Sequence, residues 1–233
     1  ERVWVETERA LGETSPVTYF EVLRACGALA AIFPEVDALF GVPQPEQWHP
    51  EIDTGVHTLQ VLEVAAGLSH DTTVRFAALV HDVGKGLTPR DEWPRHIGHE
   101  EAGARLIEGM AERLRLPNEH RELGVMVARY HARVHRVAEQ RPGTILDLLE
   151  LTDAFRRGER FERFLLACEA DARGRGPELR ALPYPQAAQL RAARTAAASA
   201  RLPPEVLERD KGPVIAERLR AARIEAIRSL NQA

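Results

Sequence analysis

"TVRFAALVHDVG", residues 73–84, decides how the rest of the chain reads. Val74, Phe76, Ala77, Leu79 and Val80 make it a helix with several apolar faces, so it belongs inside a core. Gly84 and Gly86 follow as stop signals. At the end of this apolar run stand two ionisable residues side by side, His81 and Asp82. Ala77 and Ala78 precede them and admit a neighbouring helix. Burying a carboxylate without a partner is costly. A divalent cation compensates, and imidazole with carboxylate is a suitable ligand mixture for a borderline or hard cation. Adjacent helical residues diverge by roughly 100°, so an ion shared by the pair has to lie near a groove between helices.

The composition sets wide bounds. With 233 residues, 44% of them hydrophobic and 28% charged, the chain is long enough for one large domain or one domain with appendages. A formal net charge of −4 gives no global sign of nucleic-acid binding. The basic residues are nearly all arginine, which suits bidentate phosphate contacts, although genomic base composition explains the bias more simply. Cys26 and Cys168 form no CxxC pair and read as small core residues. No signal peptide and no bilayer-length apolar run is present, so the cytoplasm is the expected location and no membrane partner is expected. The chain opens on Glu1 directly in a helical pattern and is expected to be part of a longer protein.

Along the chain the periodicity predicts helices throughout. They run through "ERVWVETERAL", "VTYFEVLRACGALAAIF", "TGVHTLQVLEVAAGL", "EEAGARLIEGMAERLRL" and "NEHRELGVMVARYHARVH", then 144–156 and 159–172. "GVPQPEQWHP" and "LTPRDEWPRHIGH" read as loops. An alanine-rich helix, a break at Pro203–Pro204 and a last helix after Lys211–Gly212–Pro213 complete an all-α chain. His57 falls on an apolar face with Val61 and Val64, where a lone histidine is more often structural than a ligand.

His57 with His81–Asp82 and a later aspartate on successive helices resembles the HD superfamily of metal-dependent phosphohydrolases. The resemblance implies a helical bundle whose metal is held by His57, His81, Asp82 and a closing aspartate. Asp153, in "LLELTDAF", is expected to be that aspartate, because an unpaired carboxylate inside an apolar helix is otherwise hard to explain. Asp171, at a helix end before Gly174 and Gly176, is the competitor, with simple exposure sufficient to account for it. Further stretches, "GALAAIFPEVDALFGVPQPEQWHPEIDTGVHTL", "HDVGKGLTP", "WPRHIGHEEAG", "EADARGR" and "DKGPVIAERL", are similar to the carboxy-terminal half of the bacterial multifunctional CCA proteins across nearly the whole chain. That family implies three parts: 1–46, a helical segment continuing from a nucleotidyltransferase half; 47–180, the HD domain; and 181–233, a helical tail. It also implies 2′,3′-cyclic phosphodiesterase, 2′-nucleotidase and phosphatase activity on a tRNA 3′ end or a small 2′,3′-cyclic nucleotide, and it permits a homodimer. No strand and no nucleotidyltransferase motif is seen, so the chain is expected not to add CCA alone.

The resemblance implies one or two divalent ions, Ni, Mn, Co or Mg. His99 and His131 are candidates for a second metal or the substrate phosphate, with His135 one turn beyond His131. Lys85, between its glycines, is expected to act on the phosphoryl charge, with Arg95, His96, Arg173 and Arg175 as further phosphate contacts. His49, His70 and His120 read as structural or exposed. Two other functions fit the same residues. One is hydrolysis of a different nucleotide, although no GYP follows the doublet, which argues against cyclic dinucleotides. The other is a non-catalytic tRNA-binding or dimerising body.

Overall fold

The computed structural model describes residues 2–46 and 52–230. His49, expected to be structural or exposed, lies outside the described residues. The chain is all-α: among the described residues the only extended pairing is an isolated antiparallel bridge between Pro43 and Asp53. The helices are α1 Arg2–Gly12, α2 Val17–Ala25, α3 Ala28–Ile32, α4 Pro34–Asp37, α5 Thr54–Leu68, α6 Thr72–Val80 and α7 His99–Leu114. They continue as α8 Asn118–His135, α9 Pro142–Leu151, α10 Gly158–Arg173, α11 Pro177–Arg180, α12 Pro185–Ser199, α13 Pro204–Arg209 and α14 Gly212–Ser229.

Residue contacts divide the chain into two compact units: Glu1–Ala132 with Glu162–Tyr184, and Arg133–Phe161 with Pro185–Ala233. This partition differs from the expected one. The first helices are not a segment apart. Trp4, Leu11, Phe20, Phe33 and Leu39 share one core with Leu62, Phe76, Leu79, Ile107 and Met110. Each such side chain contributes about 1.5–3 kcal/mol on burial, which is why these helices and the histidine-bearing helices form one body. A second fastening is polar. Arg75 is 1% exposed and forms no ion pair with a carboxylate among the described residues. Its guanidinium donates to the carbonyls of Leu11 (2.6 Å) and Glu13 (2.7 Å) at the end of α1, and to those of Ala66 (3.0 Å) and Ser69 (2.7 Å) at the end of α5. A cation among helix C-terminal carbonyls meets both their unsatisfied lone pairs and the negative end of the helix dipole.

The other unit gathers α9, α12 and α14. Ala187, Leu190, Ala193 and Ala197 make a buried stripe along α12, and Ile145, Leu146 and Leu149 are buried on α9. Ile227 is the buried residue of α14, and Arg220 from the same helix reaches Asp147 and Glu150 of α9.

The predicted helix over 144–156 ends early. α9 stops at Leu151, and Thr152 Oγ1 turns back to the carbonyl of Leu148 at 2.8 Å. Asp153 then takes φ 51°, its N–H bonding Glu150 O at 3.0 Å while Ala154 N–H bonds Leu149 O at 2.9 Å. These two bonds form a Schellman close with a left-handed residue after the cap, a conformation aspartate tolerates better than most residues.

Candidate metal centre

Two helices of the first unit set the first ligands. Asp53 Oδ1 caps α5 by accepting the Val56 N–H at 2.9 Å, which fixes His57 in the opening turn, fully buried. Asp71 Oδ1 caps α6 by accepting the Thr73 N–H at 2.9 Å. Every residue from Thr73 to Val80 is buried, so α6 runs through the core and delivers the doublet to its interior end. His81 is the last residue with helical dihedrals, and Asp82 turns away at φ −113°, ψ 11°. The doublet therefore points two ways, and a 3₁₀ turn, Val83–Leu87, follows.

That turn lies directly on the start of α7. A Cβ at Gly84 would fall 1.9 Å from His99 O and 2.6 Å from Gly103 N. Only glycine permits this approach, and the approach brings Asp82 to His99. Gly84 is thus a contact residue rather than a simple helix stop.

The result is two neighbouring groups of three ligands. In each group the candidate ligand atoms lie within 4.8 Å of one another. His57, His81 and Asp171 form the first: Asp171 Oδ1 lies 3.2 Å from His57 Nε2 and 3.6 Å from His81 Nε2. Asp82, His99 and His131 form the second: Asp82 Oδ1 lies 3.4 Å from His99 Nε2 and 3.6 Å from His131 Nε2. His81 Nε2 and Asp82 Oδ2, 3.2 Å apart, join the two groups.

Three rings are held in one tautomer. Nδ1 of His81 donates to Ala78 O (2.8 Å), Nδ1 of His99 to His96 O (2.7 Å) and Nδ1 of His131 to Val127 O (2.9 Å). A carbonyl can only accept, so the proton sits on Nδ1 and each ring, when neutral, turns its acceptor nitrogen Nε2 to the centre, the arrangement found behind metal-ligating histidines. His81 Nε2, Asp82 Oδ1 and His99 Nε2 are sealed from solvent and make no aligned hydrogen bond. Such atoms carry a desolvation cost, and a cation at their convergence removes it.

The electrostatics agree. Complete burial opposes charge on His81, but the carboxylates of Asp82 and Asp171 outweigh it and raise its pKa to about 9. Burial also opposes charge on Asp82, yet Lys85, then His81 and His131, hold it well below the usual carboxylate range. The pocket is built for positive charge.

Asp153 is not among these ligands. It sits on the turn after α9, in the other unit, and its carboxylate faces Arg156 (3.8 Å) and Arg157 (3.6 Å). Asp171 is instead the carboxylate grouped with His57 and His81. It is 5% exposed in the last turn of α10. A Cβ at Gly174 would fall 2.8 Å from Val61 Cα and 2.9 Å from Val61 N. The close pass of α10 over α5 that this glycine allows carries Asp171 to His57.

The other expected residues divide. Lys85 is buried, its Nζ 2.6 Å from Asp82 Oδ2 and donating to Gln44 Oε1 at 2.6 Å, so it touches a ligand as well as flanking the site. His96 is buried with Nε2–H donating to Pro43 O at 2.7 Å, which ties two loops together, and burial lowers its pKa. Arg95 is exposed. Arg173 is engaged by Glu169 and the Arg180 carbonyl, and Arg175 Nε by the Ala172 carbonyl. His120 is structural, 4.8 Å edge-on to Trp4, and His70 is exposed. His135 is partly buried, lies in the other unit and belongs to neither ligand group. Gln44 is the contact that sequence reasoning missed: a proline-rich loop has no periodicity to reveal which side chain turns inward.

Imidazole nitrogens mixed with carboxylate oxygens fit a first-row divalent ion. Comparison with known proteins agrees. Residues 54–172 match the HD domain, spanning every ligand named above, and residues 1–40 match the family described as "Probable RNA and SrmB- binding site of polymerase A". The chain is 62% identical over 98% of its length to the multifunctional CCA protein of Nitrosococcus oceani, and 58% identical over 99% to that of Thioalkalivibrio sulfidiphilus. The protein of the same name from Pseudomonas fluorescens is 52% identical over 100% of the chain. In each case the chain spans 56% of the relative. With its ligand helices inside the matched span, the chain belongs to the HD-domain family.

Proposed function

We propose that this chain is a divalent-metal phosphohydrolase that acts on phosphoesters at an RNA end. It opens 2′,3′-cyclic phosphates and removes 2′ or terminal phosphates, as part of a tRNA 3′-end addition and repair protein. The observation that carries the reading is the pair of abutting candidate ligand groups, His57–His81–Asp171 and Asp82–His99–His131, in which the buried His81 Nε2, Asp82 Oδ1 and His99 Nε2 make no aligned hydrogen bond among the described residues. The first group would hold one ion; the second would hold another or receive the substrate phosphate. When bound, one or two such ions (Ni, Mn, Co or Mg) polarise a phosphoryl oxygen and bring the pKa of water toward about 7. Asp171 and Asp82 supply the negative charge that retains the cation. Lys85 keeps Asp82 ionised, and the exposed Arg95 offers charge to an arriving phosphate.

The RNA part of the proposal is supported by the names of the relatives and by the match at residues 1–40. A cytoplasmic location follows from the same reading, and the same chain alone is taken not to incorporate nucleotides. Hydrolysis of 2′,3′-cyclic AMP is the direct test, run with each of the four ions beside dNTP and alarmone substrates. His81→Ala and Asp82→Ala are each expected to lower metal-dependent turnover at least about 100-fold while the helical circular dichroism is kept. Undiminished turnover in both variants would sink the assignment. Preference for a dNTP or an alarmone would move it to another nucleotide.

A further inference from the structure

We propose that Gln44 is a positioning residue of this centre: it holds the Lys85 ammonium on one oxygen of Asp82 and so aims the other oxygen at His99 and His131. The inference rests on the metal-hydrolase reading of the site. Gln44 is 2% exposed, and its Oε1 accepts from Lys85 Nζ at 2.6 Å. The same ammonium lies 2.6 Å from Asp82 Oδ2, while Asp82 Oδ1 faces His99 and His131 at 3.4 and 3.6 Å. A carboxylate held at one oxygen has its rotation set, so the ammonium decides where the second oxygen points. A lysine on its flexible four-carbon stem does not place itself. A second acceptor has to fix it, and Gln44 supplies that acceptor.

Gln44 is itself fixed from two sides. Its N–H donates to Ile52 O at 2.7 Å, and the Pro43 carbonyl before it receives His96 Nε2–H at 2.7 Å. Just upstream, Val42 O receives both the N–H (2.9 Å) and the hydroxyl (2.8 Å) of Thr54, which opens the helix bearing His57. One short loop thus ties the His57 helix, the His96 loop and the Asp82 turn. Gln44 Nε2 is buried and has no hydrogen-bond partner among the described residues. An apolar side chain of the same size would avoid the cost of burying it so. The amide is accounted for by what its oxygen does.

Two substitutions separate this role from packing. Gln44→Met keeps the volume and removes the acceptor; Gln44→Glu keeps an acceptor oxygen. Co²⁺ titration of the purified chain, followed by the visible d–d bands, reads ligand geometry without any turnover. Gln44→Met is expected to bind Co²⁺ about 10-fold more weakly with altered bands, and to lower kcat by a similar factor at unchanged KM. Gln44→Glu is expected to restore the wild-type bands. Wild-type bands and affinity in Gln44→Met, or equal losses in both variants, would overturn the proposal. Should Gln44→Met not fold, Gln44→Asn, which withdraws the same amide by one methylene, is read by the same two outcomes. A wild-type chain that binds Co²⁺ but hydrolyses no phosphoester defeats the hydrolase reading alone, and the Co²⁺ comparison still decides on Gln44.

Discussion

His81 is buried and stands between two carboxylates, 3.2 Å from Asp82 Oδ2 and 3.6 Å from Asp171 Oδ1. A proton on Nε2 and a metal at the same nitrogen answer the same electrostatic demand, so they compete. Removing one carboxylate lowers that demand. Asp171→Asn is expected to cut metal affinity and turnover at least about 100-fold, whereas Asp153→Asn leaves both within about twofold. Calorimetric titration with Mn²⁺ checks this, and the opposite ranking would return Asp153 to the ligand set. The residues themselves show why Asp153 reads as the ligand in sequence and Asp171 does not. "LLELTDAF" continues an apolar rhythm through Asp153, and periodicity alone carries the helix onward. What stops it is the Thr152 hydroxyl folding back on Leu148 and a left-handed Asp153, local chemistry that the apolar pattern does not encode. His81 and Asp82 were legible because a charged doublet at the end of a buried helix is costly unless a cation neutralises it, and His57 followed from its place in the same motif. Gln44 was not, because nothing in "GVPQPEQWHP" marks which polar side chain is buried.

At the scale of elements, placement of the ligands depends on two near-contacts of backbone. The 3₁₀ turn on α7 and the pass of α10 over α5 both need a missing side chain, at Gly84 and Gly174. Gly84→Ala forces a methyl group to 1.9 Å from a carbonyl oxygen, so the turn has to lift from α7 and draw Asp82 away from His99. The expected cost is at least about 3 kcal/mol, at or above the upper end for overpacking, because backbone and not a flexible side chain is the obstacle. Urea unfolding with and without Mn²⁺ measures it; a loss below about 1 kcal/mol would mean that the approach is not as tight as described. Most helix positions were readable from periodicity. Which glycine ends a helix and which lets two elements touch was not, since both are the same letter in sequence.

For the molecule as a whole, the centre makes stability depend on pH. His81 has a folded pKa of about 9 against 6.5 unfolded, so its contribution is complete below pH 6.5 and disappears as pH rises through 9. Asp82, held low, contributes above about pH 4 and loses that contribution in stronger acid. Metal-free protein is therefore expected to melt highest between roughly pH 4 and 6.5 and to lose Tm toward pH 9, by several degrees at about 1.4 kcal/mol per pKa unit and 2–4 °C per kcal/mol. Metal-loaded protein should not show that decline, because no proton is left on Nε2 to lose. Scanning calorimetry of both forms checks the sign, and a metal-free Tm that climbs from pH 6.5 to 9 contradicts it.

Arg75 sets a limit on how modular this chain can be. Its guanidinium has left water for carbonyls at the ends of two helices, one at the start of the chain and one bearing His57. Trimming the chain back to the HD match at residue 54 would strand a full positive charge in the core with half its acceptors gone. The end of the first helix and the helices of the candidate centre therefore have to be inherited together.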